Sequence, residues 1–189
     1  MTVPAPTRNC LMLHQLCATS SKMMMRTIGI DPGAGGAIAL LNDREIVSVI
    51  DMPTVLVPSR TRSHRRRRID AAGLAGALEA LGPVDAAFVE LAGPMPRDGH
   101  AGSFWFGKAA GVVEGCLAGL GFTGVTLVPA AVWKRRLNVP APKDAARARA
   151  SQLFGEEGAA LWPLKKHDGR AEAAMIALFG FMDRACGHW

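Results

Sequence analysis

Residues 28–36 read I-G-I-D-P-G-A-G-G, a short apolar run that ends in a carboxylate and continues into a glycine-rich turn. Asp31 closes the run T-I-G-I-D (27–31), which has the composition of a β-strand. The glycines of the turn carry no side chain, so a backbone or a phosphate can approach the acid closely. The stretch therefore predicts a strand-end acid with an open approach, although such an acid can also serve only to cap the Pro-Gly turn.

The pattern around this stretch predicts a mixed α/β fold. Two more apolar runs, 37–41 and 46–51, complete an antiparallel three-stranded meander. After the meander, predicted helices and strands alternate: helix 71–81 capped by Asp70, strand 84–90, helix 104–120 capped by Ser103, strand 125–128, and helices 129–137, 143–154 and 168–186. Because of this alternation, the fourth and fifth strands are predicted to run parallel to the first, in a five-stranded mixed sheet flanked by helices.

Length and composition indicate one globular domain. The chain has 189 residues, 49% of them hydrophobic, and no apolar stretch reaches the roughly 18 residues that a membrane helix requires. Four widely spaced cysteines without a CxxC pair predict neither a zinc site nor a disulfide framework, which suits a reducing cytoplasm.

Residues 1–24 differ from the rest of the chain. They mix Pro, Thr, Ser and Met, contain no acid, and show no helical or strand period. We interpret them as a disordered N-terminal extension or as the result of a start codon placed too early, with an organellar presequence as the alternative. The rest of the chain, 25–189, is then predicted to form a single domain.

The positive charge of the chain is concentrated in one segment. Residues 60–68 contain six arginines and no acid, and the formal net charge of the whole chain is +6, so the remainder is neutral. A local basic run of this kind favours a polyanionic partner such as nucleic acid, although a solvated loop has the same composition. The predicted DNA contacts in this segment are Arg60, Arg62, Arg65, Arg66, Arg67 and Arg68.

Three further carboxylates join Asp31 in the predicted fold. Glu90 ends the fourth strand, and the carboxyl ends of parallel neighbouring strands lie at the same sheet edge. Asp168 and Glu172 are four residues apart and therefore share one face of the last helix. A cluster of this kind repels itself unless a cation is bound, and oxygen ligands favour Mg²⁺ or Mn²⁺. Two such ions about 3.5–4 Å apart can activate water and stabilise the leaving oxygen of a phosphodiester.

Each acid also has a simpler interpretation, and other motifs are absent. Glu90 could be solvated, and Asp168 could only cap its helix, although Ala171 stands where a capping box would need Glu. The sequence contains no P-loop, no complete dinucleotide fingerprint and no nucleophile elbow, so no small-molecule cofactor is expected.

Taken together, four segments resemble the RuvC-like Holliday-junction resolvases of the RNase H-like superfamily, above all their phage and prophage relatives. The segments are I-G-I-D-P-G, F-V-E (88–90), F-G-x-x-x-G-x-x-x-G (106–115) and K-K-H-D-G-R-A-E-A-A-M-I-A-L (165–178), within a resemblance that spans 26–184. The resemblance implies an RNase H-like fold and a homodimeric crossover junction endodeoxyribonuclease. Such an enzyme binds four-way DNA and cuts it with Mg²⁺, leaving 5′-phosphate and 3′-hydroxyl ends.

Carried over to this chain, the resemblance assigns Asp31 and Glu90 to the first two acidic positions and Asp168 and Glu172 to the C-terminal ones. The last acid is Glu rather than Asp and the spacing is four rather than three, which leaves open which of the two is the direct ligand. Family members also carry an aromatic wedge after the second acid; here that loop offers Met95 and no aromatic before Phe104.

Several cations near these motifs are candidates for supporting roles. Lys166 and His167 could assist at the scissile phosphate, and Lys134, Arg135, Arg136 and Lys165 could follow a DNA backbone. Trp105 is predicted to be a core or dimer contact. The alternatives to a junction resolvase are another RNase H-like nuclease, acting on RNA–DNA hybrids or flaps, and a non-catalytic binder of branched DNA.

Overall fold

The computed structural model describes residues 24–58, 65–91, 93 and 99–186. The strands are β1 (Arg26–Ile30), β2 (Ala37–Asn42), β3 (Glu45–Asp51), β4 (Thr54–Val57), β5 (Arg66–Ile69), β6 (Ala86–Leu91) and β7 (Val125–Pro129). The helices are α1 (Ala71–Ala80), α2 (His100–Gly119), α3 (Ala130–Arg136), α4 (Lys143–Leu161) and α5 (Asp168–Cys186), and a 3₁₀ turn, Lys165–His167, precedes α5.

Five strands form the main sheet in the order β3-β2-β1-β6-β7. The first three strands pair antiparallel, whereas β6 runs parallel to β1 and β7 runs parallel to β6. The prediction of a five-stranded mixed sheet with an antiparallel meander is therefore confirmed. Because β1 and β6 are adjacent and parallel, Asp31 and Glu90 lie at the same end of the sheet.

Strands β4 and β5 form a separate two-stranded antiparallel ribbon that the sequence did not reveal. We call it the basic ribbon, since Arg66, Arg67 and Arg68 supply three of the four residues of β5. These residues therefore lie in a strand, and not in the solvated loop that their composition also allowed. The arginines pair with Val57, Leu56 and Val55 across the ribbon, and this cross-strand pairing decides their conformation.

Side chains of the main sheet alternate between two apolar layers. Ile28 and Ile30 of β1 pack towards α1 and α2, together with Leu74 and Leu117. Phe88 of β6 faces the opposite layer, where α5 and α3 cover the sheet. This period of two is the expected pattern for strands covered by helices on both faces, and it makes β1 almost completely buried.

Helix α5 lies unusually close to the sheet because small residues meet at the contact. A β-carbon added to Gly29 of β1 would overlap the backbone of Ala173 and Ala177, and one added to Gly180 would overlap the ring of Phe88. The alanine-rich sequence of α5 is therefore a packing requirement. The close contact also fixes the start of α5, and with it Asp168, against the end of β1.

Two predicted helix boundaries differ from the structure by more than one residue, and one predicted cap makes no hydrogen bond. Helix α2 begins at His100 rather than at 104, so Ser103 lies in its first turn instead of capping it. Helix α4 continues to Leu161 across a break at Gly155, where φ is +69°. Asp70 occupies the N-cap position of α1, but its side chain makes no capping hydrogen bond.

The predicted N-terminal extension lies almost entirely outside the described residues, and the single domain from residue 25 stays a prediction. Among the helices that the structure describes, none combines the length and the apolar character needed to cross a membrane.

Candidate active site

Asp31 is held at the end of β1 by the glycine turn that follows it. Its backbone N–H donates to the carbonyl oxygen of Ala37 at 3.0 Å, and the N–H of Gly33 donates to its Oδ1 at 3.2 Å. The turn folds back so tightly that a β-carbon on Gly36 would overlap the backbone of Asp31. Glycine is therefore required here by space.

The buried carboxyl of Asp31 is strongly perturbed. Burial, the negative charge of Glu172 and those of Glu90 and Asp168 raise its pKa to about 7, against the lowering effect of the hydrogen bond from Gly33. All three other predicted site acids thus act electrostatically on Asp31. The four acids, predicted from three separate segments, are close enough to change the ionisation of Asp31.

Glu90 reaches the same edge from the neighbouring strand. Its Oε2 accepts a hydrogen bond from the indole N–H of the buried Trp133 at 3.0 Å. Burial and the charge of Glu172 raise the pKa of Glu90, and Lys134 and the Trp133 hydrogen bond offset part of that rise. Trp133 therefore orients the Glu90 carboxylate from inside the core.

The two acids of α5 each contact a lysine from another helix. Lys134 Nζ lies 3.0 Å from Glu172 Oε1, and Lys143 Nζ donates to Asp168 Oδ2. Burial acts to raise the pKa of Asp168, but the hydrogen bond and charge of Lys143 outweigh it, and the pKa falls below its usual value. The lysines thus neutralise part of the acidic cluster.

The first residues of α5 pack directly on the glycine turn. A β-carbon added to Gly169 would overlap the carbonyl oxygen of Gly35 and would lie 2.8 Å from Gly36 Cα and 3.2 Å from Asp31 Oδ2. The position of Asp168 relative to Asp31 depends on this contact.

The donor set fits a hard divalent cation in its chemistry, since it consists of carboxylate oxygens around a buried acid whose pKa is raised by the others. Within residues 24–58, 65–91, 93 and 99–186, no three His, Cys, Asp or Glu side chains are yet arranged to hold one ion. Two of the four carboxylates instead contact ammonium groups. These lysine contacts compete with a metal ion for the acids of α5.

Comparison with known proteins identifies the fold. No protein-family model matches the chain, and no curated protein matches it in sequence. The structure "T. thermophilus RuvC in complex with Holliday junction substrate" matches over 85% of this chain and 96% of its own, with a TM-score of 0.56 and 19% identity. The chain has a RuvC-like fold. A second structure, "Thermus thermophilus RuvC structure", also matches over 85% of this chain and 96% of its own, at 20% identity and with a TM-score of 0.48.

The RuvC-like fold confirms the predicted RNase H-like architecture, and it is the fold alone that this level of identity establishes. The activity has to be argued from the residues of this chain. Among the predicted site residues, the structure brings Asp31, Glu90, Asp168 and Glu172 into one electrostatic cluster.

The predicted assisting residues occupy a neighbouring position. Lys166 and His167 line a cavity of about 370 Å³ beside the glycine turn, together with Arg170 and Asp51. Nδ1 of His167 accepts a hydrogen bond from the N–H of Leu164 at 3.3 Å. In the described contacts His167 pairs with none of the four acids.

The other predicted cations lie in different parts of the molecule. Lys134 belongs to the acidic cluster, whereas Arg135 and Arg136 are exposed at the end of α3. Lys165 lies 3.7 Å from Asp144 at the protein surface. Arg60, Arg62 and Met95 lie outside the described residues.

The basic ribbon borders the acidic cluster. A β-carbon on Gly35 would lie 3.7 Å from the guanidinium of Arg67. Arg66 stacks over the ring of Trp105 at 5.1 Å from its centroid. Trp105 is half-buried and belongs to neither apolar cluster of the core, and whether it contacts a second copy stays a prediction.

Sequence reasoning missed Trp133 and Lys143 as site residues. Both contacts join residues far apart in the chain, with separations of 43 and 25 residues. Lys143 offered one signal, because a lysine in the first turn of a helix is unfavourable for the helix dipole unless an acid compensates it.

Proposed function

We propose that the chain is a metal-dependent, structure-selective endonuclease that resolves Holliday junctions and related branched DNA. It hydrolyses phosphodiester bonds with two divalent ions and leaves 5′-phosphate and 3′-hydroxyl ends. One observation carries the proposal: four carboxylates from β1, β6 and α5 act on one another at the carboxyl edge of a RuvC-like sheet. Clustered acids of this kind are poorly suited to binding a polyanion unless cations are present.

Asp31, Glu90, Asp168 and Glu172 would hold the ions, with Mg²⁺ or Mn²⁺ as the expected metal. The bound ions would lower the pKa of the attacking water and stabilise the leaving oxygen. The protein residues do the rest: the turn fixes Asp31, Trp133 orients Glu90, and the glycines leave room for the phosphate. Lys134 and Lys143, once released from the acids of α5, are free to contact phosphate oxygens.

Branched DNA as the substrate is supported by the distribution of charge. The basic ribbon lies beside the glycine turn, so a strand whose phosphate enters the acidic cluster passes close to Arg67. The related Thermus structure is described as a complex with a Holliday junction substrate. The same proposal places the protein in the cytoplasm of a bacterium or of a phage-infected cell.

A homodimer belongs to the proposal because α2 presents an uncovered small-residue face. A β-carbon added to Gly107, Gly111, Gly115 or Gly119 would meet no described atom within 4 Å. Helix glycines cost stability relative to alanine, so four of them in one exposed row favour a close-packed partner. A two-fold dimer would present two sites to the two strands of a junction.

The dimer is tested by sedimentation velocity on wild type and Gly111→Leu. We expect a dimer for wild type at micromolar concentration and a monomer for the variant, because leucine prevents the close helix approach. Gly76→Leu on α1, another exposed helix glycine with nothing within 4 Å, is the matched control and should stay dimeric. Equal sedimentation of all three proteins would contradict the assignment of this face.

The function is tested with a synthetic four-way junction, an RNA–DNA hybrid and a flap, each with Mg²⁺, Mn²⁺ or EDTA. We expect paired nicks in the junction with either metal and none with EDTA. Asp31→Asn should keep junction affinity and lose cleavage by on the order of 10³-fold or more, because it removes a central charge of the metal site.

Asp85→Asn is the control for Asp31→Asn. Asp85 accepts a hydrogen bond from Arg26 at the opposite end of β1, and asparagine keeps an acceptor there. Unchanged cleavage by Asp31→Asn would refute the site, and faster cleavage of the hybrid or flap than of the junction would assign a different RNase H-like nuclease.

A further inference from the structure

A groove of about 650 Å³ lies between strand β3 and the second half of α4. Its charged lining residues are Arg44, Glu45 and Glu157. The apolar lining residues are Ile46, Val47, Val49, Leu153, Phe154 and Leu161. All of these apolar side chains except Val47 are only partly buried against the core, and Val47 is 49% exposed. The groove therefore presents an open apolar surface.

Strand β3, which borders the groove, has an open edge. It is the last strand of the main sheet and, among the described strands, it pairs with β2 alone. The pairing shifts register between Leu40 and Leu41, and the shift leaves Val47 without a cross-strand partner. An edge strand with an exposed apolar side chain is a surface to which another extended segment can add. The shape of the groove therefore favours an extended chain as its occupant.

The N-terminal segment, residues 1–23, joins the described structure beside this groove. The N–H of Met25 donates to Asp43 Oδ1 at 2.9 Å, and the N–H of Asp43 donates to the carbonyl oxygen of Met25 at 2.8 Å. Asp43 lies in the turn between β2 and β3, next to Arg44, which lines the groove. Since β3 begins at the same end of the sheet as β1, a segment that follows the groove towards Met24 runs antiparallel to β3.

The sequence of the N-terminal segment matches the groove in length and in charge. Residues 11–17 read L-M-L-H-Q-L-C and form its most apolar run. The groove follows residues 44–49 of the chain, which is about 20 Å of strand, and the run is long enough to cover it. Residues 18–23 span up to about 20 Å and can connect the run to β1. The segment contains basic residues and no acid, whereas the groove has two acids and one arginine.

We propose that residues 11–17 bind this groove of their own chain as an extended segment antiparallel to β3, with apolar side chains against the open lining. The run has no helical or strand period of its own, so the groove supplies the contacts that fix its conformation. Binding covers the edge of the main sheet and prevents it from pairing with other chains. The inference is independent of the proposed function, because no residue of the acidic cluster or of the basic ribbon takes part.

The test is disulfide trapping in the full chain, with the native Cys10 and Cys17 beside and at the end of the run as reporters. Glu157→Cys introduces a thiol at the groove. After mild oxidation, peptide mapping measures the yield of the disulfide between this thiol and either native cysteine. We expect a yield about tenfold above that of a control on the other face of the sheet, because binding in the groove raises the effective concentration of the reacting thiols.

Glu79→Cys is the matched control for the introduced thiol. Glu79 is exposed on α1, which packs on the opposite face of the sheet from the groove. The end of α1 lies close to the start of β1, since the guanidinium of Arg26 donates to the carbonyl oxygen of Leu81. An N-terminal segment that does not bind the groove therefore reaches both introduced thiols. Equal yields for the two variants would overturn the proposal.

Two changes within the N-terminal segment test whether the apolar run makes the contact. Combined with Glu157→Cys, Leu13→Asp places a charge inside the run and should lower the yield to that of the control. Ser20→Asp places the same charge outside the run and should leave the yield unchanged. In chains without an introduced thiol, deuterium uptake at residues 46–49 should be about tenfold slower in wild type than in Leu13→Asp. Equal uptake, or a yield that Leu13→Asp does not lower, would overturn the proposal.

The mass of the cross-linked protein identifies the source of the bound segment. A disulfide within one chain supports the proposal. A covalent dimer, with the disulfide between two chains, would overturn it, because the segment of a second copy would then fill the groove.

Discussion

The acidic cluster and the basic ribbon lie side by side and carry opposite charge, but they are built in opposite ways. The acids come from β1, β6 and α5, and the most buried of them has its pKa raised to about 7. The arginines of the ribbon are consecutive in the chain, and Arg67 and Arg68 are exposed to solvent. Charge in the cluster therefore opposes folding until a cation arrives, whereas charge in the ribbon is solvated and costs little.

Because of this difference, we expect the acidic cluster to determine the rate of cleavage and the basic ribbon to determine the affinity for DNA. A buried cluster held by the core can position groups within fractions of an ångström, which chemistry requires. An exposed ribbon adds phosphate contacts whose strength depends on salt. Variants in the cluster should therefore change rate and stability, and variants in the ribbon should change affinity.

Of the variants that test this difference, Gly169→Ala should have the largest effect, and it should lower the rate of cleavage. The added methyl group would overlap the carbonyl of Gly35 and press on Asp31, so α5 would shift away from the turn. A displacement of about 1 Å is enough to lower single-turnover junction cleavage by about 10²-fold. Junction affinity should change less than about threefold, because the ribbon is untouched.

Gly76→Ala is the control for this methyl group. Nothing lies within 4 Å of its added carbon, so the variant should cleave as wild type and gain up to about 1 kcal/mol in the free energy of unfolding. Normal cleavage by Gly169→Ala would show that the turn does not position the acids.

The two regions also differ in how far the sequence predicted them. The four acids were predictable because each stands at a strand end or on a helix face, and chain order brings those positions together. The roles of Lys143 and Trp133 could not be predicted, since their contacts depend on how α3 and α4 pack. The ribbon was missed because an arginine run hides strand alternation, and only pairing with 54–57 reveals it.

The next prediction concerns stability without metal. The pKa of Asp31 is about 7 in the folded chain and about 3.8 when unfolded, so between these values only the folded state holds the proton. Stability should therefore fall as pH rises from about 4 to 7. In EDTA, Asp31→Asn should raise the free energy of unfolding by about 2–4 kcal/mol at pH 8 and by little at pH 4. Urea denaturation at both pH values measures this.

Mg²⁺ provides the complementary measurement. Excess Mg²⁺ should stabilise wild type and leave Asp31→Asn nearly unchanged, because a ligand that binds the folded state stabilises it. Equal stabilisation of both proteins by Mg²⁺, or a variant that is less stable than wild type at pH 8 in EDTA, would contradict the assignment.

For the exposed acid Asp51, the effect of pH on the free energy of unfolding should have the opposite sign to that for Asp31. Arg170 donates to both oxygens of Asp51 at 2.6 Å, and this hydrogen bonding lowers the pKa of Asp51. The ionised Asp51 therefore stabilises the folded state at neutral pH, and this stabilisation is lost as pH falls through the lowered pKa of Asp51. Because the Asp51 side chain is 62% exposed, Asp51→Asn should lower the free energy of unfolding at pH 7 by only about 0.5–1 kcal/mol. A stability gain on this substitution would remove the contrast with Asp31.

The smallest effect is expected in the ribbon, from Arg67→Gln. Removing one phosphate contact should weaken junction binding by about two- to fivefold at 0.1 M salt and lower the slope of log K against log salt by about one. Arg44→Gln, an exposed arginine in the turn between β2 and β3, removes the same charge and should change neither quantity. Cleavage at saturating protein should stay at the wild-type rate in both variants, since neither arginine touches the acids. A reduced rate for Arg67→Gln at saturation would instead place the ribbon within the reacting site, and the separation between a rate-determining cluster and an affinity-determining ribbon would fail.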